Sequence, residues 1–418
     1  MCIRDSLSAA VIAALLFSGA VLTSCDDDDD KMPDNNPITI TFENVTAVKN
    51  YVQSGTFDAA QPGGTTTIVF NAGKGQTLMF ATMYGYSNDL FFAPENPGLK
   101  LYNDDGTPRT GDVSAAVQLW DNGTRVNQKP GPDVTHPGTA EVGNVTQITD
   151  GRDVAGNTYL PASSLMKLTL AYDAVKSEFT LTIANISSGT ANETPFSAGV
   201  WVVSNVLDGD LIVEKPFFEK DQKSSTQLTA LAENGNTKPY TDLITPQTGI
   251  ITTLSPAIVV IYTGDTNPIY TLGQKDAQIG LAALAQRGDP SQLVTSLGKL
   301  PQVKHIYTTG DDMADPGQKM YTQYEAAEGD KLAYALMFGY SNDWFYANES
   351  AVNPLSRGDI SNNVVLLDDG TAVSQYPGAG NAQLIFGGTL MPEEQPITKV
   401  GDTYPVPSPK NVIKVTIN

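Results

Sequence analysis

The tetrapeptide Tyr86-Ser87-Asn88-Asp89 returns as Tyr340-Ser341-Asn342-Asp343, and its surroundings return with it. Leu78-Met79-Phe80-Ala81-Thr82-Met83 precedes the first copy and Leu90-Phe91-Phe92-Ala93 follows it. Leu332-Ala333-Tyr334-Ala335-Leu336-Met337 and Trp344-Phe345-Tyr346-Ala347 flank the second. Each copy is an apolar strand running into a polar turn that ends in a carboxylate. A second shared block lies downstream. Gly111-Asp112-Val113-Ser114 with Leu119-Trp120-Asp121-Asn122-Gly123-Thr124 matches Gly358-Asp359-Ile360-Ser361 with Leu366-Leu367-Asp368-Asp369-Gly370-Thr371. Asp121 and Asp368 stand 247 positions apart (368 − 121), as do Lys167 and Lys414 (414 − 167) in the closing strands. Such a match makes the chain a duplicated module.

Strict alternation over Ile38-Thr39-Ile40-Thr41-Phe42-Glu43-Asn44 marks a half-buried strand, and Phe179-Thr180-Leu181-Thr182-Ile183-Ala184-Asn185 repeats it. On that basis the first module runs over 38–175 and the second over 176–418. The second then carries an extended N-terminal region of about 195–300, because 160 positions separate Ile183 from Asp343 and only 49 separate Ile40 from Asp89. Inside that region Leu and Ala recur at helical spacing up to Gly235 and again up to Gly288, which predicts two short, glycine-capped helices, the only ones after residue 24. Elsewhere short alternating runs are broken by Gly, Pro, Asn and Asp. The expected fold is all-β: tandem antiparallel β-sandwiches with short helices in the second module.

With 418 residues the chain can bury a large core. Its formal net charge of −21 repels phosphate backbones and argues against nucleic acid as a partner. Cys2 and Cys25 are the only cysteines, and loss of a leader carrying Cys2 would leave no intramolecular disulfide. His136 and His305 are the only histidines, too few for a histidine-based zinc site and each best read as a lone surface or structural residue.

Residues 8–22 form an apolar run of signal-peptide length. Leu22-Thr23-Ser24-Cys25 after it resembles a bacterial lipobox, which implies a lipoprotein signal peptide over 1–24 and a lipid on Cys25. Arg4 is the sole basic residue ahead of the apolar run and Asp5 offsets it, a departure from the usual basic leader. Asp26 to Asp30 cannot pack together, so 25–37 reads as an acidic, solvated tether. An acidic run behind a lipid-bearing cysteine resembles the export signal of surface lipoproteins in Bacteroides-type bacteria. The expected location is the bacterial cell envelope, as an outer-membrane lipoprotein exposed at the surface.

Ser255-Pro256, Gly280-Leu281 with Leu284-Ala285-Gln286-Arg287-Gly288-Asp289, Ser341-Asn342-Asp343-Trp344 and Leu367-Asp368-Asp369-Gly370-Thr371 occur in an order that resembles the spondin N-terminal domain family. That family carries a Ser-Pro opening, a Gly-Leu helix, a Ser-Pro-Asp-Trp turn and a Trp-Asp-Ala-Gly-Thr-Asp loop. Ser87-Asn88-Asp89 and Leu119-Trp120-Asp121-Asn122-Gly123-Thr124, followed by Asn127-Gln128-Lys129-Pro130-Gly131, give the first module a shorter form of the pattern. The resemblance implies a C2-like β-sandwich, a calcium ion (Ca2+) between loops at one end, and adhesion or extracellular binding. The metal-ligand positions it implies are Asp89 and Asp121 in the first module and Asp343 and Asp368 in the second. Hard divalent cations independently call for carboxylates converging from different loops. The family's further carboxylate, four residues on, is Arg125 in one module and Ala372 in the other. The Arg125 guanidinium could pair with carboxylates in place of a metal, and Asp369 or the Asp359 loop could make up the second module's ligand count. Without an ion, the same aspartates are turn formers.

The function expected is therefore a lipid-anchored adhesion or ligand-binding scaffold, its partner an extracellular or periplasmic protein or glycan. The alternative is a carbohydrate-binding or glycan-processing surface lipoprotein, since paired carboxylates also serve glycosidases. No nucleophile elbow or zinc motif is present, and catalysis is not expected. Trp120, Trp201 and Trp344, with Tyr86 and Tyr340, are read as core or loop anchors in preference to sugar platforms.

Overall fold

The computed structural model describes residues 37–418, so the signal peptide, Cys25 and all but the last residue of the tether lie outside the described residues. The fold is all-β, of the sandwich type. It opens with β1 (Ile38–Asn44), which buries every second side chain as its alternation requires. Then follow β2 (Tyr51–Phe57), β3 (Thr65–Asn71), β4 (Thr77–Met83), β5 (Leu90–Pro94), β6 (Leu99–Lys100), β7 (Gly111–Asp112) and β8 (Val117–Asp121). β9 (Thr146–Gln147), β10 (Met166–Asp173), β11 (Glu178–Asn185) and β12 (Gly199–Ser204) complete this run. A small hairpin of β13 (Val206–Leu207) and β14 (Asp210–Leu211) leads to α1 (Thr226–Asn234) and α2 (Lys238–Ile244). Next come β15 (Ile258–Tyr262), α3 (Leu281–Arg287), α4 (Ser291–Leu297), β16 (Val303–Thr308), β17 (Lys319–Tyr324), β18 (Lys331–Met337) and β19 (Trp344–Asn348). β20 (Gly358–Asp359), β21 (Val364–Asp368), β22 (Thr398–Lys399) and β23 (Ile413–Ile417) close the chain.

Two sandwiches result. In the first, the sheet β3-β11-β10-β7 faces β2-β12-β4-β5-β8-β9, and Phe70, Phe80, Phe92, Leu168 and Leu181 are buried between them. In the second, β17-β1-β23-β20 faces β16-β15-β18-β19-β21-β22 over Phe42, Tyr334, Tyr346, Val415 and Ile417. Helices form a third layer on the outer face of each larger sheet. Leu228, Leu231 and Tyr240 of α1 and α2 pack on Met79, Phe91 and Val200; Leu281, Leu284, Leu293 and Leu297 of α3 and α4 pack on Ile258, Val260 and Phe345.

The strand pairing divides the chain differently from the expected 38–175 and 176–418. β1 lies between β17 and β23 in the second sandwich, whereas β11, the expected opener of that sandwich, lies between β10 and β3 in the first. The two strands are structural equivalents, and alternation specifies a half-buried strand without specifying which sheet receives it. Local connection decides. β10 turns directly into β11 through a hairpin in which Asp173 Oδ1 accepts from Val175 N (2.9 Å) and Lys176 N (3.2 Å). In the second sandwich the equivalent neighbours, β23 and β1, come from opposite ends of the described chain and are tied by Asn418 N to Thr39 O (2.8 Å). The first module is thus a circular permutation of the second, inserted after β1.

The helices are corrected by the same comparison. α1 and α3 end at Gly235 and Gly288 as predicted, both in the left-handed region. They are not the only ones: α2 and α4 follow them, beginning at Lys238-Pro239 and just after Pro290, where proline suits the first helical turn. Nor is 195–300 an extension of the second module. β12, α1 and α2 belong to the first module and β15, α3 and α4 to the second.

One loop of the second module, 375–387, docks on the first. Gln375 Nε2 donates to Val175 O (3.2 Å), Asn381 N to Ser177 Oγ (2.9 Å), and Gln76 Nε2 returns a bond to Gly378 O (2.9 Å). The Phe386 ring lies on Gly73, where an added Cβ would sit 2.3 Å from it. No helix among the described residues is long and apolar enough to cross a membrane.

Candidate functional site

Each module gathers its repeated motifs at one end, where the β4–β5 turn (β18–β19 in the second module) meets the loop after β8 (β21). The turn is built identically twice. Ser87 Oγ donates to Tyr84 O (2.7 Å) and accepts from Leu90 N (3.0 Å); Ser341 Oγ does the same with Phe338 O and Trp344 N at the same distances. This aims the following aspartate across the gap. Asp89 Oδ2 accepts from Thr124 N (2.9 Å), Arg125 N (2.8 Å) and Thr124 Oγ1 (3.2 Å). Asp343 Oδ2 accepts from Thr371 N (2.7 Å), Ala372 N (2.8 Å) and Thr371 Oγ1 (3.1 Å).

Asp121 and Asp368 shape the loop itself. Their Oδ1 atoms accept from Gly123 N and Gly370 N, both at 2.8 Å, closing a turn that places these glycines at φ of 68° and 69°. A Cβ would lie 2.4 Å from Asn144 O in one and 2.5 Å from Gln395 O in the other, so glycine is required twice over. The second oxygens are also engaged, by Asn127 Nδ2 on Asp121 (2.5 Å) and by Trp344 Nε1 and Ser374 Oγ on Asp368 (both 3.1 Å).

The structure therefore brings Asp89 beside Asp121, and Asp343 beside Asp368. Asp89 Oδ1 and Asp343 Oδ1 are buried with no hydrogen-bond partner. Burial, reinforced by the neighbouring Asp121 or Asp368, pushes both carboxyls up to about 7. Asp121 is raised too, again chiefly by burial.

The modules diverge at the next residue. In the first, Asn122 is fully satisfied: its Nδ2 donates to Thr124 Oγ1 (2.8 Å) and its Oδ1 accepts from Ser224 Oγ (2.5 Å). In the second, Asp369 has only Thr371 Oγ1 on Oδ2 (3.0 Å), and its Oδ1 is buried and unpartnered. Burial, then the charge of Asp276, lifts Asp369 to about 8. Thr371 Oγ1 lies against oxygens of both Asp343 and Asp369 and has one hydrogen to give. With both carboxylates ionised, one contact would be left without a proton.

Arg125 does not pair with the carboxylates as the sequence suggested it could. Its guanidinium reaches out to Glu233 on α1 (2.8 Å), while only its backbone N–H serves Asp89. Gln286 and Ala372 take the equivalent places in the second module, and Gln286 Nε2 donates to Thr371 Oγ1 (2.9 Å). Two features escaped the sequence reading. Glu233 was one, although the joint change from Arg125 and Glu233 to Ala372 and Gln286 was visible between repeats. The other was Val126-Asn127-Gln128-Lys129-Pro130-Gly131 returning as Val373-Ser374-Gln375-Tyr376-Pro377-Gly378, the stretch that carries the inter-module contact. Trp120 and Trp344 are buried as expected, and so is Tyr340; Tyr86 and Trp201 are half-buried. His136 and His305 are exposed.

No protein-family model matches this chain, and neither does any curated protein.

The donor set can be weighed against a hard cation directly. Among the described residues no three Asp, Glu, His or Cys side chains form a metal-holding group. The first site offers one free carboxylate oxygen, on Asp89, since both oxygens of Asp121 take N–H donors. The second offers two, on Asp343 and Asp369, from separate loops. A hard cation there would need its remaining positions filled by water or backbone carbonyls.

Proposed function

We propose that this chain is a non-catalytic binding protein of the bacterial cell envelope, anchored through a lipid on Cys25 and built from two spondin-like modules. The second module holds a calcium ion at its loop end, through Asp343 and Asp369 with Asp368 fixing the loop between them. The observation that carries this reading is the pair of buried, unpartnered oxygens, Asp343 Oδ1 and Asp369 Oδ1. Buried carboxylate oxygens without donors are costly unless a proton or a cation compensates them. The bound ion would fix the loop after β21 to the β18–β19 turn. Because that loop runs on into 375–387, it would also stiffen the contact between modules.

The test is calorimetric titration of calcium into EDTA-stripped full-length protein. Saturable binding is expected for wild type and for Asp89→Asn, and none for Asp343→Asn/Asp369→Asn. Absence of saturable heat in the wild type would rule out the cation reading. The anchor is tested separately: Cys25→Ser should move the protein from the membrane fraction to the soluble one.

A further inference from the structure

Trp201 departs from the other two tryptophans. Trp120 Nε1 donates to Ala93 O (3.1 Å) and Trp344 Nε1 to Ser374 Oγ (2.9 Å) inside the protein. Trp201 is half-buried, and its indole nitrogen has no partner among the described residues. The ring lies across β2 at Gly55, where an added Cβ would stand 2.9 Å from Nε1 and 3.0 Å from Cε2 and Cζ2. Glycine at that cross-strand position is what lets the indole lie over the strand. Beside it opens a cavity of about 510 Å³, with Gln53 and Trp201 on the first module's side and Tyr376 and Pro405 on the second's. Thr245 supplies an exposed hydroxyl along it, while Thr241 and Thr248 donate to Lys238 O and Ile244 O (both 2.8 Å) and Ser54 bonds to Thr248 (2.8 Å), which leaves these oxygens to act as acceptors. A second cavity, of about 590 Å³, shares Thr248, Gly249 and Pro405 with the first and is lined further along by Lys49 and Lys410.

What the groove lacks is as informative as what it holds. On a chain of net charge −21, no charged side chain among the described residues lines the cavity beside Trp201. A cationic ligand would find no carboxylate there and an anionic one no cation beside Trp201, since Lys49 and Lys410 line only the second cavity. Strand addition to the start of β2 is already pre-empted, since Gly249 N donates to Tyr51 O (2.9 Å) and Thr248 bridges Tyr51 in parallel. A half-buried indole lining the cavity, its N–H without a partner, beside hydroxyl oxygens suits a ligand with apolar C–H faces rimmed by hydroxyls.

We propose that this inter-module groove binds a neutral oligosaccharide, one sugar ring stacking on Trp201 and its hydroxyls bonding to the indole N–H and the threonine rim. The site uses side chains from both modules and is incomplete in either alone. It stands independently of any cation at Asp343 and Asp369.

The experiment is a fluorescence titration of the full-length protein with gluco-, xylo-, manno- and galacto-oligosaccharides of four to six units. Because Trp120 and Trp344 are buried, a ligand-induced blue shift reports on Trp201. At least one series is expected to give a saturable shift, with binding followed by calorimetry weakened about tenfold or more in Trp201→Ala. Thr245→Arg, at an exposed rim position, should block binding without disturbing the core. Failure of every series to bind would overturn the proposal. So would binding indifferent to both Trp201→Ala and Thr245→Arg, or binding displaced only by extended peptides.

Discussion

Replacing Asp369 by Asn gives the second module the residue that the first carries at the same place, and its effect can be worked out from the site. Folded Asp369 is raised to about 8 from an ordinary 3.8, first by burial and then by Asp276. The native state therefore keeps a proton that the unfolded chain releases. The stability tied to that proton is present below about pH 4 and is lost progressively as pH rises towards 8. At pH 7 about three pH units of this loss have accrued, or roughly 4 kcal/mol at 1.36 kcal/mol per unit. Asparagine removes the titration and can donate to Thr371 Oγ1 as Asn122 does to Thr124. It still faces a niche without the Ser224 hydroxyl that serves Asn122, a shortfall of about 1–3 kcal/mol. In EDTA at pH 7 Asp369→Asn is therefore expected to stabilise the protein by roughly 1–3 kcal/mol, and at pH 4 to be neutral or mildly destabilising. Urea denaturation at pH 4, 7 and 8.5, with and without calcium, measures this. Under the proposed function calcium reverses the ranking at pH 7, because wild type gains binding energy that the variant cannot. A variant less stable than wild type at pH 7 in EDTA, or an effect independent of pH, would refute the electrostatic argument.

Arg125→Ala should destabilise the protein by about 1–3 kcal/mol, since it strands Glu233, whose side chain is 5% exposed; the partial exposure of Arg125 places the effect below that of a fully buried pair. Arg125→Ala/Glu233→Gln reproduces the pair found in the second module and should recover most of the loss in a double-mutant cycle. Removing residues 38–44 should strip the central strand β1 from the second sandwich. Hydrogen exchange should then accelerate in β17 and β23 while β10 and β11 stay protected; equal acceleration in both pairs would contradict the assignment of β1 to the second module.

Much of the site was legible because it is local. Ser87, Asp89, Asp121 and Gly123, with their counterparts, act through bonds to residues within a few positions or to the matching loop, and repetition exposed them together. Glu233 was hidden because its bond to Arg125 spans 108 positions and joins a helix to a loop. The different condition of Asn122 and Asp369 was hidden for another reason. The two residues are nearly isosteric, and what separates them is whether hydroxyls from α1 and its approach, such as Ser224, reach the site. In the second module Ala282 stands on α3 where Thr229 stands on α1, a change that alters a helix by one hydroxyl and removes a partner 3.4 Å from the Asn122 amide.

The exchange of β1 could not be read from periodicity at all, and it has the largest consequence. Two sandwiches strung in sequence would share only a linker, and their relative placement would rest on one surface contact. Threading the first module between β1 and the rest of the second gives them two chain crossings instead: one from β1 into β2, the other from α2 to β15. Loop 375–387, which continues from the carboxylate site, then closes on the β10–β11 hairpin that exists only because the first module is permuted. Trp201 and Tyr376 come to face one groove through that arrangement. The permutation thus places the carboxylate turns and the groove on opposite ends of one short path, the eight residues from Asp368 to Tyr376 (376 − 368).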